Sequence, residues 1–235
     1  MLNHEDPFMH VYSLVVFNML CEQTERNTLV EIYYLSAPET RNWRKLLALG
    51  DTLEQQLKRK LLWVWPTAAD LLAFNKLLRL HNIQNILSVG CGSGLLEWLL
   101  AAAATEDENP IAFYGLEIDR NWWNSKYALR SFIPLNFVED APDGKLDSDF
   151  LRHSCCGSQP SALLFCYFNN RQAFLEYLCV YKGKWLIIIG PKPSQGIHTD
   201  PDAMHPNFPV DEHWVLHDCL HWTELNIVTF YEKID

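Results

Sequence analysis

The chain is short of positive charge. Its 19 Lys and Arg stand against 29 Asp and Glu, for a formal net charge of −10. A general nucleic-acid binder needs a basic face for the phosphates, so nucleic acid is not an expected partner. No uninterrupted apolar run is long enough to span a bilayer, so no membrane association is expected. Glu5 and Asp6 stand ahead of the Val11 to Leu20 apolar stretch, where a secretory signal would have a basic start. Seven cysteines form neither a disulfide framework nor a C-x-x-C pair. Cys155, Cys156 and His153 have no answering second pair, so no metal site is expected. Reduced thiols and a cytoplasmic location, with the nucleus as alternative, follow from this usage. Gly-Lys-Ser/Thr is also missing, which excludes a phosphate-binding P-loop.

What is present suits a folded domain. Apolar residues make up 49% of the chain and aromatics 13%, enough to bury a core and to exclude disorder. The most informative stretch runs from Ile86 to Ala104. Ile86-Leu87-Ser88-Val89 reads as a buried strand; Gly90-Cys91-Gly92-Ser93-Gly94 is a glycine turn; the apolar residues after it have helical spacing. Such a unit brings backbone N–H groups and a helix N-terminus up to a ligand. A dinucleotide turn has glycines at positions one, three and six, whereas Gly94 stands at position five and Leu95 at six. That spacing argues against a dinucleotide oxidoreductase.

A second strand, Ile111 to Asp119, ends in acid. Glu117 lies 23 residues beyond Gly94, close to the ~20-residue offset of the ribose-binding acid in nucleotide folds. Asp119 suits a cap for the next helix, expected over Asn121 to Ser131. Leu135 to Val138 reads as a third strand, followed by Asp140 and Ala141. Asp143 to Pro160 reads as polar and irregular. Ser161 to Asn170 holds the fourth strand and its exit, where Tyr167, Asn169 and Asn170 are the polar groups. Arg171 to Val180 reads as helix and Trp185 to Ile189 as a buried fifth strand. The long loop from Ser194 to Pro209 supplies His198, Asp200 and His205 as acid–base or substrate-contact candidates. His213 to Cys219 and Leu225 to Tyr231 read as a closing strand pair. His217, Cys219 and His221 alternate there, on a strand needed for packing.

Ahead of the glycine turn, residues 1–60 read as an amphipathic helical extension, with apolar stretches at Val11 to Leu20 and Leu29 to Leu35. Ser36-Ala37-Pro38-Glu39 has the form of a capping box for a helix ending at Gly50, and Asp51 to Glu54 opens another. Lys58-Arg59-Lys60 is a basic patch that could meet a phosphate. Trp63 and Trp65 either line the site or belong to the core. Thr67, with Asp70, starts a helix through Leu80. Residues 61–235 form the second expected unit.

The glycine motif, the acids at Glu117 and Asp140 and the closing strand pair together resemble the class I S-adenosylmethionine-dependent methyltransferases. The likeness narrows to a loosely characterised methyltransferase-like group through Pro66-Thr67, Leu163 to Asn169 and Ile187 to Gly190. The resemblance implies a Rossmann-like α/β sheet, mostly parallel, with a C-terminal antiparallel hairpin. It implies S-adenosylmethionine as cofactor, held by Gly90, Cys91, Gly92 and Gly94, with Glu117 on the ribose and Asp140 and Ala141 at the adenine. Tyr167, Asn169 and His198 are then the catalytic candidates. Two departures fall where the chemistry would be: Tyr167-Phe168-Asn169 replaces an aromatic-proline exit, and Pro191 replaces an acid. The expectation is methyl transfer to an unidentified small molecule or protein. The alternative is a catalytically silent sensor or adaptor, with the N-terminal helices as its protein-partner surface.

Overall fold

The computed structural model describes residues 23–104, 110–141, 144–193 and 195–234. The Val11 to Leu20 stretch and most of the loop beginning at Thr105 lie outside them. The described chain begins in helix α1 (23–36), followed by α2 (Trp43–Thr52), α3 (Gln55–Leu61) and α4 (Ala68–Leu80). Alternating elements then build the sheet: β1 (Asn85–Val89), α5 (Leu95–Ala104), β2 (Ala112–Glu117), α6 (Arg120–Trp123), β3 (Leu135–Phe137), α7 (Ser148–Ser154), β4 (Ala162–Cys166), α8 (Arg171–Val180) and β5 (Trp185–Pro191). β6 (Trp214–Trp222) and β7 (Asn226–Lys233) close it.

The seven strands lie in the order β3-β2-β1-β4-β5-β7-β6. Neighbours from β3 to β5 are parallel; β7 runs antiparallel to both β5 and β6. This is the expected Rossmann-like sheet with its C-terminal hairpin. The chain order reverses direction across β1 and β4, which puts a crevice at the carboxyl ends of those two strands. β1, β4 and β5 are covered on both faces, and Ile86, Leu87, Leu163, Leu164, Leu186 and Ile187 are fully buried. That double burial is why these strands read as unbroken apolar runs.

One core joins the N-terminal helices to the sheet. Ile32, Leu35, Leu46, Leu57 and Leu61 pack in the same cluster as Ile86, Leu164 and Ile187. The expected boundary after residue 60 falls inside α3.

Local signals succeeded where their partners are local. The Thr67 hydroxyl accepts from the Asp70 N–H and the Asp70 carboxylate accepts from the Thr67 N–H, a closed capping box that starts α4. Asp119 caps α6 by accepting from the Trp122 N–H at 2.8 Å. Four expectations are corrected. Ser36 ends α1, its hydroxyl donating to the Tyr33 carbonyl, and Asn42 caps α2 instead. Gly50 lies within α2 and packs under the Trp65 ring, so it does not close that helix. α6 is a single turn; beyond it the chain folds back until the Phe132 N–H donates to the Ser93 carbonyl at 2.8 Å. The stretch read as irregular contains α7, capped by Asp147 accepting from the Phe150 N–H at 2.7 Å.

Candidate functional site

The glycine turn follows β1 directly, and its backbone demands glycine. Gly92 and Gly94 have φ of 64° and 75°, the left-handed region that side chains rarely adopt. At Gly94 a Cβ would lie 2.4 Å from Ile133 Cγ1, so the residue is also a close-packing point. At Gly92 a Cβ would meet no atom of the described residues within 4 Å. Gly92 therefore faces free space, where a ligand can approach the backbone.

Glu117 is the last residue of β2 and reaches this turn. Its Oε1 accepts the Gly92 N–H at 2.6 Å. Burial raises its carboxyl pKa, while the Gly92 N–H and the Trp123 indole work against the rise. The carboxylate thus stands beside the turn with acceptor capacity left over for a hydroxyl pair.

The cleft at the turn has a volume of about 370 Å³ and is lined by Gly90 to Ser93, Leu95 to Glu97, Trp123 and Cys166 to Asn169, with Arg59 to Trp63 on the far wall. That size suits a small organic ligand. Tyr167 stands at the β4 exit with φ 51°, an uncommon backbone state for an aromatic residue. It is held there by its N–H on the Ile189 carbonyl at 2.8 Å and its hydroxyl on Asn226 Oδ1 at 2.5 Å. Its ring stacks on Trp63, with centroids 6.0 Å apart and planes 11° off parallel. Trp63 is 66% exposed, so this pair forms an aromatic wall open to solvent. Trp65, by contrast, belongs to the packing: its Nε1 donates to the Lys58 carbonyl at 3.2 Å.

Glu97 was not singled out by its sequence pattern, although it is the one acid in the apolar helix α5. It lies at the floor of the cleft and is 1% exposed. The Ser88 hydroxyl donates to its Oε1 at 2.6 Å, and its Oε2 has no partner among the described residues. Burial pushes its pKa up to about 7. An orphaned buried carboxylate oxygen costs free energy unless a ligand completes it. Burial, with Glu97 and Glu117 adding to it, also drives the Cys91 thiol well above its ordinary range, so Cys91 lines the turn as a neutral group.

Asp140, Ala141 and His198 are not among the residues that line this cleft, and neither is Glu117, which reaches it through the Gly92 N–H. Asp140 pairs with Arg120, whose guanidinium also sits over the Phe137 ring at 4.4 Å. It lines a separate cleft with Asp147, Asp149 and His153, and does not line the one at the glycine turn. Ala141 is buried in the core behind β3. His198 is exposed and does not line the glycine-turn cleft. The adjoining Asp200 backbone does reach the β4 exit, donating to the Phe168 carbonyl and accepting from the Asn170 N–H.

No family model and no curated protein matches the chain. Among solved structures it is similar to a 16S rRNA methylase, at 17% identity and TM-score 0.46, covering 82% of this chain and 98% of that one. It is similar to a SAM-dependent methyltransferase from Aquifex aeolicus, at 12% identity and TM-score 0.41, covering 80% and 98% of the two chains. It is also similar to the magnesium protoporphyrin IX methyltransferase of Synechocystis PCC 6803, at 8% identity and TM-score 0.42, covering 88% and 97%. The sheet is of the class I methyltransferase type. Its own strand order, with β7 reversed between β5 and β6, establishes that.

Proposed function

We propose that the chain binds S-adenosylmethionine at the glycine turn and transfers its methyl group to a small-molecule or protein acceptor. The observation that carries this reading is the Gly92 N–H held on Glu117 beside a turn whose Gly92 Cβ position is open. The residues present fit the cofactor in charge as well as in space. Glu97, with one oxygen unpartnered, puts a buried acid under a ligand that carries an ammonium and a sulfonium. Glu117 is the group for the ribose hydroxyls.

When bound, S-adenosylmethionine supplies a methyl group already activated by its sulfonium. The protein's task is then mainly to position the acceptor in line. The Trp63–Tyr167 wall and Asn169 border the space an acceptor would enter. The Tyr167 hydroxyl is engaged by Asn226, so its role is to orient through its ring and backbone rather than to remove a proton. An amine acceptor needs no base before transfer, since its proton can leave to water afterwards. Asp140 and Ala141, just past the β3 residue that pairs with Glu117, are the residues proposed for the adenine end, which would then extend beyond the glycine-turn cleft towards the cleft that Asp140 lines. In this reading Asp140 is shared between Arg120 and the cofactor.

The silent sensor or adaptor is kept as a second reading, because the hydroxyl at the β4 exit is already engaged and His198 stands outside the cleft. No helix among the described residues is long and apolar enough to cross a membrane. Incubation with methyl-labelled cofactor and fractionated cell extract separates the two readings. Label in an acceptor fraction, abolished in Glu117→Ala, supports transfer; tight binding with no label in any fraction supports the sensor.

A further inference from the structure

At the opposite end of the parallel strands a second polar cluster has no part in the cleft. His81 caps the end of α4, shortly before β1 begins, and Trp185 opens β5. The cluster therefore lies at the amino ends of the parallel strands, whereas the glycine turn follows the carboxyl end of β1. His217 and Asp218 come from the edge strand β6.

In a regular strand two consecutive side chains point to opposite faces. Here the pairing of β6 with β7 shifts register between Leu216 and Asp218, a β-bulge. The bulge brings His217 and Asp218 to the same side, facing His81. It replaces the expected alternation of His217 with Cys219 and His221. Bulges commonly re-aim a side chain in this way.

Asp218 Oδ2 lies 2.6 Å from His81 Nε2 and 3.0 Å from His217 Nδ1. Among the described residues this is a group of three metal-ligating side chains whose donor atoms all lie within 4.8 Å of one another. The rings are held from outside. Trp185 packs against His81 at 4.3 Å and against His217 at 5.3 Å between centroids. On its far nitrogen His217 faces Glu232, Nε2 to Oε2 being 3.6 Å, and the other Glu232 oxygen is held by Lys184 at 2.5 Å. A carboxylate behind a ligating imidazole is the usual way such a ring is oriented.

We propose that His81 Nε2, His217 Nδ1 and Asp218 form a site for a divalent transition metal, with Zn2+ the fitting ion. Two imidazoles and one carboxylate suit a borderline metal and not Ca2+ or Mg2+, which take oxygen ligands. Zinc bonds of ~2.0–2.2 Å in a tetrahedron place donors ~3.3 Å apart; the two His–Asp distances of 2.6 and 3.0 Å open slightly to reach that, and the two imidazole nitrogens, within 4.8 Å of one another, settle to the same spacing. A water completes the fourth position. The ion would clip the end of α4 to the strand at the edge of the described sheet, stabilising a strand paired on one side only among the described residues. The site stands independently of the methyl-transfer reading.

The test uses the whole chain, stripped with a chelator, titrated with ZnCl2 by calorimetry and with CoCl2 by visible absorption. Expected are one equivalent of Zn2+, a raised melting temperature reversed by chelator, and four-coordinate Co2+ d–d bands without thiolate charge transfer. His217→Ala, at a half-exposed side chain, should keep the native circular dichroism and weaken binding at least tenfold. Asp218→Asn should weaken it as well while keeping a hydrogen-bond acceptor. Absence of metal binding overturns the proposal. So does binding that both variants retain at full strength, or a Co2+ spectrum dominated by thiolate charge transfer, since the metal would then sit on cysteine.

Discussion

Glu97→Gln should make the protein more stable and a poorer ligand binder at once. The carboxyl is 1% exposed and its pKa is pushed from 4.5 to about 7 by burial. Between those two values the folded state holds a proton that the unfolded state has lost. Stability therefore falls as pH rises from ~4.5 to ~7, by about 3 kcal/mol in total, since each pKa unit is worth ~1.4 kcal/mol. Glutamine keeps an oxygen for the Ser88 hydroxyl and cannot ionise. Glu97→Gln should then raise unfolding free energy by about 3 kcal/mol at pH 8 and by under ~1 kcal/mol at pH 5. Urea unfolding at the two pH values, extrapolated to water, measures both. The same variant should bind S-adenosylmethionine more weakly, because the charge that faces the ligand is gone. Stability traded for binding is what a strained site residue produces. A ΔΔG that does not change with pH, or a loss of stability at pH 8, would refute the reasoning.

Glu117→Ala removes a charged hydrogen-bonding group and should weaken S-adenosylmethionine by more than ~1 kcal/mol in calorimetry. Gly94→Ala forces a Cβ into Ile133 at a φ of 75° and should lower stability by about 1–3 kcal/mol in denaturant unfolding. Thr67→Ala opens the capping box of α4 and should cost ~1 kcal/mol, seen as a lower melting temperature. Tyr167→Phe releases Asn226 and should cost about 1 kcal/mol of stability while leaving cofactor affinity unchanged, as the ring and not the hydroxyl faces Trp63.

The half of the site that was legible in the sequence is the half made by local geometry. Three glycines after a buried strand, and an acid at the end of the next, are enough to place Gly92 beside Glu117, because adjacent parallel strands end together. The Thr67 box was legible because both its partners lie within one turn. Ser36 to Glu39 had the same form, yet Ser36 turns back to Tyr33, since α1 has to end where its core face does. α7 escaped because its seven residues carry a polar outer face. Glu97 lies inside an apolar helix, and only packing shows that one of its oxygens has no partner among the described residues. The His81–Asp218–His217 cluster depends on a bulge, which moves one residue to the other face and leaves no mark on composition. The pairing of Asp140 with Arg120, the first residue of α6, joins two elements twenty residues apart, which no local pattern shows.

Calorimetric titration of the intact chain with S-adenosylmethionine, its demethylated product and NAD tests the proposed site most directly. Binding of the first two and no binding of NAD is the predicted result. If neither S-adenosylmethionine nor its product binds, the cleft between Gly92 and Glu97 is not a cofactor site, and both the transferase and the sensor readings fail.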